Sequence, residues 1–438
     1  MMEKMILTDN ADITEFRKNE IIEELLNITL SQLNEDNFII FPPILKESED
    51  LEESNFIFES KNKKVYTRNI VGVIGKGHDE VKIKTRFFNN SESQSDYFLK
   101  YMFQKVLNYN VIKNETKSDN LGMYYDLLIY LFPFYLKRAM KKGLYKEYKT
   151  KEYNNLNVRG AINIIKNINK NIPFNGKISY TTREFSFDNR VTQIIRHTLE
   201  KIKQNYNFDF FNDMFLKEDI QILVQNTKSY KNSDLVKILK DNILNPVRHS
   251  YYEEYYDLQK LCIQILKNEK IDFGNNDNKI HGIIIDVAWL WEEYLNTMLI
   301  NKKFIHPKNK KSEKGISLFS NRQRMVYPDF YNLDEKIILD AKYKKLGKNK
   351  KEIYREDLYQ LISYLHIIEG KKSGVIYPDI DKSESNEIGQ LNGCGGEIFK
   401  ISFKIPQEIS NYKEFVVEIK KSEKIFLNKI DCIKKIIK

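Results

Sequence analysis

Residues 327–345 read "YPDFYNLDEKIILDAKYKK", and this stretch decides the fold of the last third of the chain. "KIILDAK" has the β-branched, apolar run of a buried strand, and "MVYPDFY" ahead of it reads as a second strand. "NLDE" between them supplies turn residues, so the hairpin closes around Leu333 to Lys336. That register sets Asp329 opposite Asp340, with Cβ atoms about 4.5–5.5 Å apart as in any directly opposed pair. Side chains alternate along a strand, so Lys342 shares the face of Asp340. Two carboxylates this close repel one another unless a cation lies between them. The spacing points to a divalent metal site with an ammonium group beside it.

Working outward, "IIIDVAWLWEEYLNTMLINKKF" precedes the hairpin. Val287, Leu290, Trp291, Tyr294, Leu295, Met298 and Leu299 recur at helical spacing and make one apolar stripe. At about 100° per residue, Glu292 falls at the edge of that stripe and Glu293 points further toward solvent. Glu292 is therefore expected to reach over the sheet as a third oxygen ligand. After the hairpin, "KEIYREDLYQLISYLHII" reads as a helix with Leu358, Leu361, Ile362 and Leu365 on its buried face. Gln360 and Tyr364 stand one turn apart on another face and can act as a pair. "SGVIYP" reads as one more buried strand. The run "KYKKLGKNKK" carries Lys344, Lys345 and Lys348, which are expected to face phosphate.

The whole chain has 438 residues, 41% hydrophobic and 13% aromatic, which is ample for packed cores and excludes global disorder. At about 100–200 residues per domain it holds two or three domains. A net charge of +10 favours an anionic partner, with nucleic acid the leading class. Cys262, Cys394 and Cys432 lie far apart with no CxxC spacing. They argue for a reducing compartment and against zinc or iron–sulfur ligation. "MMEKMILTDNADITEF" is too charged for a signal peptide, and no apolar run reaches about 18 residues. A soluble, cytoplasmic protein with no membrane contact is expected.

Residues 1–110 read as a strand-containing region. A helical stretch near "FRKNEIIEELL" is followed by "VGVIGKGHDEVKIKTRFF", which alternates like strands. "GKG" lacks the GxxxxGK[ST] spacing of a phosphate loop, and His78 stands where a hydroxyl is needed, so it reads as a hairpin turn. Residues 111–250 read as a mainly helical middle region. Its "YYDLLIYLFPFYLKRAMKKG" contains Pro133 and stops at Gly143, and its "NRVTQIIRHTLEKIKQNY" carries His197 as an ordinary helix residue. "NEKIDFGNNDNKIHG" is loop-like and marks the break before a final domain at 251–438. The first 250 residues are expected to be separable from the rest, with a glycine-tipped strand pair around Gly75 projecting from them.

Helix, strands with PD and DxK, helix with QxxxY, strand: this is the αβββαβ order of the PD-(D/E)xK nuclease core, in a chain that is α/β, or α+β overall. A lone DxK is weak, whereas the elements together in order are specific. Such a core takes Mg²⁺, which prefers hard oxygen ligands. Asp329, Asp340, Glu292 and the Ala341 carbonyl would hold the ion. Lys342 would position or help deprotonate the attacking water and offset developing charge, with Gln360 and Tyr364 bracing the site.

Between about 120 and 385 the chain resembles McrC, the nuclease subunit of McrBC-type, modification-dependent restriction systems. The matching pieces are "RGAINI", "SFDNRVTQIIRHTL", "LWEEYL", "PD…ILDAKYKK" and "DLYQLISYLHIIEGKKSGVIYP". The first hundred residues look more like the longer McrC relatives of LlaJI-type systems. The resemblance implies an McrB-like AAA+ GTPase hexamer as partner, which reads DNA, often at methylated cytosines, and translocates. It implies that the N-terminal part docks in that ring, with Lys76 and Arg159 facing it. The missing nucleotide loop agrees with this division of labour. The other partners expected are double-stranded DNA and a second nuclease domain on it. Two rival readings are a RecB-like nuclease acting without a GTPase, which QxxxY also fits, and a catalytically inert activator, against which Asp329, Asp340 and Lys342 argue.

Overall fold

The computed structural model describes residues 4–33, 38–43, 56–77, 79–88, 96–107, 122–205, 214–267, 280–308, 313–321, 323–344, 353–381, 385–393 and 395–435. Contacts divide the chain into one unit of Met1–Ile112 with Asp272–Lys438 and another of Lys113–Ile271. The first unit therefore joins both ends of the chain, whereas the sequence reading ended the middle region at 250 and kept residues 1–110 apart from the last domain.

The first unit opens with β1 (Lys4–Thr8), α1 (Glu20–Leu25), β2 (Phe38–Phe41), β3 (Phe58–Lys61), β4 (Lys64–Thr67), β5 (Ile70–Lys76), β6 (Asp79–Lys84) and α2 (Tyr97–Leu107). Asn19 caps α1 by accepting from the Ile21 N–H. β5 and β6 form the strand pair expected around Gly75, with Lys76 opposite Asp79. That hairpin does not project. β5 is buried through Gly75 and lies inside a five-stranded sheet of order β1-β6-β5-β10-β2, whose β10 is defined below. Lys76 is tied to α1 by ion pairs with Glu24 (2.8 Å) and Glu20 (3.3 Å). His78 lies outside the described residues.

The second unit contains α3 (Gly122–Met140), β7 (Glu147–Asn155), β8 (Ala161–Ile162), α4 (Ile164–Asn171), β9 (Ile178–Ser186), α5 (Arg190–Asn205), α6 (Met214–Asn226), α7 (Leu235–Leu244) and α8 (Glu253–Lys267). Asn189 starts α5 by accepting from the Val191 and Thr192 N–H groups. β7 and β9 pair over nine residues from Glu147↔Ser186 to Asn155↔Ile178, and β8 adds to β9. This β-arm leaves large apolar side chains in water: Leu156, Ile165 and Phe174 are each 74% exposed, and Ile164 and Ile172 each 68%. Arg159 is exposed on the same arm, between β7 and β8.

The chain then returns to the first unit through β10 (His281–Asp286) and α9 (Val287–Leu299), followed by β11 (Ile316–Ser317), β12 (Met325–Val326), β13 (Phe330–Asn332), β14 (Ile337–Ala341), α10 (Arg355–Ile367), β15 (Lys372–Asp379), β16 (Ser385–Gln390), β17 (Glu397–Lys404) and α11 (Tyr412–Lys435). β10 pairs antiparallel with β5 and parallel with β2. The approach is so close that a Cβ on Gly72 would meet the Ile283 carbonyl oxygen at 2.0 Å. The run "HGIIID" escaped the sequence reading because its apolar part, Ile283–Ile285, is too short to show an alternation that marks a strand. Asp286 ends β10 and caps α9 by accepting from the Trp289 N–H at 3.0 Å. All seven residues of the α9 stripe are buried, each contributing about 1.5–3 kcal/mol.

A second five-stranded sheet has the order β13-β14-β15-β17-β16, with β14, β15 and β17 mutually parallel. The expected single strand "MVYPDFY" is two pieces. β12 pairs with β11 in a small hairpin, the chain breaks at Tyr327–Asp329, and β13 pairs antiparallel with β14. Pro328 lacks the N–H that a continuous ladder would need. The turn between β13 and β14 is Leu333–Lys336, as read from "NLDE".

Because β2 and β5 both pair with β10, a fragment ending near residue 250 cannot complete its sheet. It should show no cooperative thermal transition for residues 1–110, while residues 113–271 alone should unfold cooperatively. Circular dichroism melts of the two fragments check this.

Candidate active site

β14 is buried along its whole length, and it presents Asp340 as a residue 1% exposed. Phe330 pairs with Leu339, so continuing the ladder by one residue sets Asp329 against Asp340. The Asp329 carboxylate accepts the Ala341 backbone N–H at 2.6 Å through Oδ2, which fixes the first acid to the strand that carries the second. Lys342 Nζ lies 2.7 Å from Asp340 Oδ2. Its backbone N–H donates to the Ile376 carbonyl of β15 at 2.8 Å.

α10 supplies the rest of the Lys342 surroundings. Lys342 Nζ donates to Gln360 Oε1 at 3.0 Å, and Gln360 Nε2 donates to the Tyr364 hydroxyl at 3.0 Å. The residues one turn apart do act as a chain, with Gln360 touching the lysine directly. Asp357, buried in the first turn of α10, sits 3.8 Å from Lys342 Nζ and accepts from Lys344 Nζ at 2.9 and 3.1 Å. The sequence reading missed Asp357, although its place three residues before Gln360 on one helix was a usable signal. Lys345 and Lys348 lie outside the described residues. Lys344, the other lysine of that run expected to face phosphate, is paired with Asp357.

Electrostatics follow from this crowding. Burial pushes the Asp329 carboxyl up to about 7, and the Asp340 charge pushes the same way against Lys342, the Ala341 N–H and His306. Burial also raises Asp340, against the pull of Lys342. Burial alone would lower Lys342, but the surrounding carboxylates overcome it and raise the pKa. The carboxylates around Lys342 thus favour its charged ammonium form.

The helix acid tied to this site is Glu293. Its carboxylate lies 3.6 Å from His306 Nε2, with side-chain exposures of 21% and 10% for Glu293 and His306. His306 Nδ1 lies 2.6 Å from the Asp329 carbonyl oxygen. Glu293 thus does not point away to solvent, because α9 turns that face toward the segment carrying His306. Glu292 is half-buried on the same helix. Among the described residues no group of three or more His, Cys, Asp or Glu side chains is poised around one point, so the structure does not assemble Glu292 with Asp329 and Asp340 into a three-acid set.

Two hard carboxylates beside a backbone amide fit a Mg²⁺ ion that keeps several of its waters. The fit is electrostatic as well as geometric. Burial raises both acids, and the Asp340 charge raises Asp329 further, a cost that a divalent cation between them relieves.

The site and fold define a mixed α/β protein with paired acids and a lysine on adjacent strands of a sheet, braced by a polar helix face. The family profile described as the McrBC 5-methylcytosine restriction system component matches residues 65–378, and the chain belongs to that family. None of the curated proteins compared with it matches. Similar solved structures include a half-complex from a tetradecameric assembly of Thermococcus gammatolerans McrB AAA+ hexamers with bound McrC. There the identity is 14% and the TM-score 0.45, covering 98% of this chain and 100% of that chain. Another is the cryo-EM structure of the Thermococcus gammatolerans McrBC complex, at 13% identity and TM-score 0.31, covering 68% of this chain and 88% of that chain. No helix among the described residues is long and apolar enough to cross a membrane.

A carboxyl whose folded pKa lies above its unfolded value near 3.8 favours the folded state at low pH. That advantage is lost as pH rises through about 7. Asp329→Asn keeps the acceptor for Ala341 and removes the charge. In EDTA it should stabilise the chain at pH 8 by about 1–3 kcal/mol, and by progressively less toward pH 4. Calorimetric melts of both proteins across that range measure the difference.

Proposed function

We propose that this chain is the nuclease subunit of its restriction system, a Mg²⁺-dependent DNA endonuclease working with an McrB-like AAA+ GTPase. The observation that carries this reading is the Asp329–Asp340 pair with Lys342 Nζ 2.7 Å from Asp340. A binding or activator subunit has no use for two buried carboxylates raised by burial beside a lysine, so the inert reading is not favoured. A bound Mg²⁺ would polarise the scissile phosphate and acidify a coordinated water. Asp329 and Asp340 supply the oxygens that hold it. Lys342 faces the developing negative charge on the phosphate and, held by Gln360, donates in a fixed direction. Tyr364 fixes Gln360 in turn. Lys344 can exchange Asp357 for a DNA phosphate. The described residues carry one such site, which cuts one strand, so a double-strand break calls for two nuclease domains on the DNA.

The partner reading rests on the family and on the β-arm. The apolar residues on β8, α4 and the turns around them are water-exposed to a degree that marks an interaction surface. Arg159 stands among them, and this arm, not the buried β5–β6 hairpin, is the element presented to the GTPase ring.

Cleavage of methylated duplex by the purified chain with its AAA+ partner, GTP and Mg²⁺ tests the proposal. Asp340→Ala and Lys342→Ala should each reduce cleavage by at least about 10²-fold while leaving GTPase stimulation intact. Ile165→Asp on the arm should do the reverse, reducing stimulation and leaving the acidic site in place. Near wild-type cleavage by Asp340→Ala would overturn the site assignment.

A further inference from the structure

Behind Asp329 stand two side chains that the proposed chemistry leaves unused. Asp329 lies outside the β13 ladder, just after the break at Pro328, so strand pairing alone does not hold its backbone. The neighbouring segment does. Ile305 exchanges hydrogen bonds with Tyr331, donating at 2.8 Å and accepting at 3.0 Å. The next residue, His306, stacks on Phe330 with ring centroids 4.9 Å apart and planes 26° from parallel. Its Nδ1 lies 2.6 Å from the Asp329 carbonyl oxygen. A carbonyl can only accept, so Nδ1 carries the proton. The opposite ring nitrogen faces Glu293 Oε1 at 3.6 Å, and Glu293 Oε2 accepts from Asn296 Nδ2 at 3.4 Å within α9.

We propose that Glu293 and His306 form a positioning pair that holds Asp329 for Mg²⁺, acting through its backbone carbonyl. This deepens the nuclease reading and rests on it. The Asp329 carboxylate is gripped from one side by the Ala341 N–H of the strand bearing Asp340. From the other side, His306 fixes the peptide to which that carboxylate is attached, and α9 fixes His306. With both in place the two carboxylates are separated by a set distance. With the second removed, Asp329 can rotate about the Pro328 break while β14 stays where it is. Neither residue need touch metal, water or DNA. Outer hydrogen bonds of this kind typically govern metal affinity by about 10- to 100-fold.

The experiment uses the full-length chain and Mg²⁺ itself. Isothermal titration with Mg²⁺ and thermal melts in EDTA are measured for wild type, His306→Ala, His306→Asn and Glu293→Gln, alongside the Mg²⁺ concentration for half-maximal DNA cleavage with the AAA+ partner and GTP added. His306→Ala should weaken Mg²⁺ binding at least about ten-fold and move the cleavage midpoint by a similar factor. His306→Asn, which restores a donor to the Asp329 carbonyl, should recover most of that loss. Glu293→Gln should fall between. Where His306→Ala fails to fold, the Asn and Gln variants decide: an unchanged Mg²⁺ affinity in Glu293→Gln overturns the pair. Wild-type affinity in a folded His306→Ala overturns it as well, as does equal loss in the Ala and Asn variants. Should the wild-type chain neither bind Mg²⁺ nor cut DNA, the nuclease reading itself fails. Should wild type do both while the variants are unchanged, only the positioning pair fails.

Discussion

Two carboxylates and an ammonium meet at the edge of a buried strand, and much of the first unit is arranged around the difficulty of keeping them there. Burial costs several kcal/mol for each charge unless partners replace water. Asp340 receives Lys342, Asp329 receives the Ala341 N–H, and Lys342 receives Gln360 and the more distant Asp357. Ala341 ends β14, Lys342 follows it directly, and Gln360 and Asp357 stand on α10, which packs over the sheet through Leu361 and Leu365.

The same strand is clasped from the N-terminal side. Arg86, which follows β6, donates to Asp9 through Nε at 2.8 Å, to Asn69 Oδ1 at 2.6 Å and to the Tyr343 carbonyl at 3.0 Å. Its guanidinium lies 4.9 Å from the Tyr343 ring centroid, and Phe87 meets that ring edge-on at 5.2 Å. Tyr343 is the residue after Lys342. Burial lifts Asp9 to about 6 even beside its arginine, so this clasp is itself a desolvated charge pair that must be well made to persist. With β10 threaded between β5 and β2, it makes residues 4–107 and the site-bearing sheet one folded body.

Features set by short-range periodicity could be read directly. The α9 stripe, the turn at Leu333–Lys336, the register opposing Asp329 to Asp340 and the Gln360–Tyr364 spacing all follow from side chains two, three or four residues apart. The helix acid could not be read this way. Glu292 and Glu293 differ by one position on a wheel, and the choice between them depends on where the His306 segment packs. The glycine-tipped hairpin was recognisable as a hairpin, but whether it projects or lies inside a sheet depends on β10, some 200 residues away.

The sequence alone determined the local elements and the nearness of Asp329, Asp340 and Lys342 and of Gln360 and Tyr364, because PD, DxK and QxxxY carry their geometry within one or two turns of backbone. Tertiary structure alone decided which distant segments complete it. β10 joined the N-terminal sheet, Arg86 closed on Tyr343, Asp357 captured Lys344, and His306 came to rest on Asp329. Each is a contact between residues at least 13 positions apart, and most are separated by far more. The free energy of such contacts comes from burial and from partnered charge in the assembled fold, and no period in the sequence encodes those.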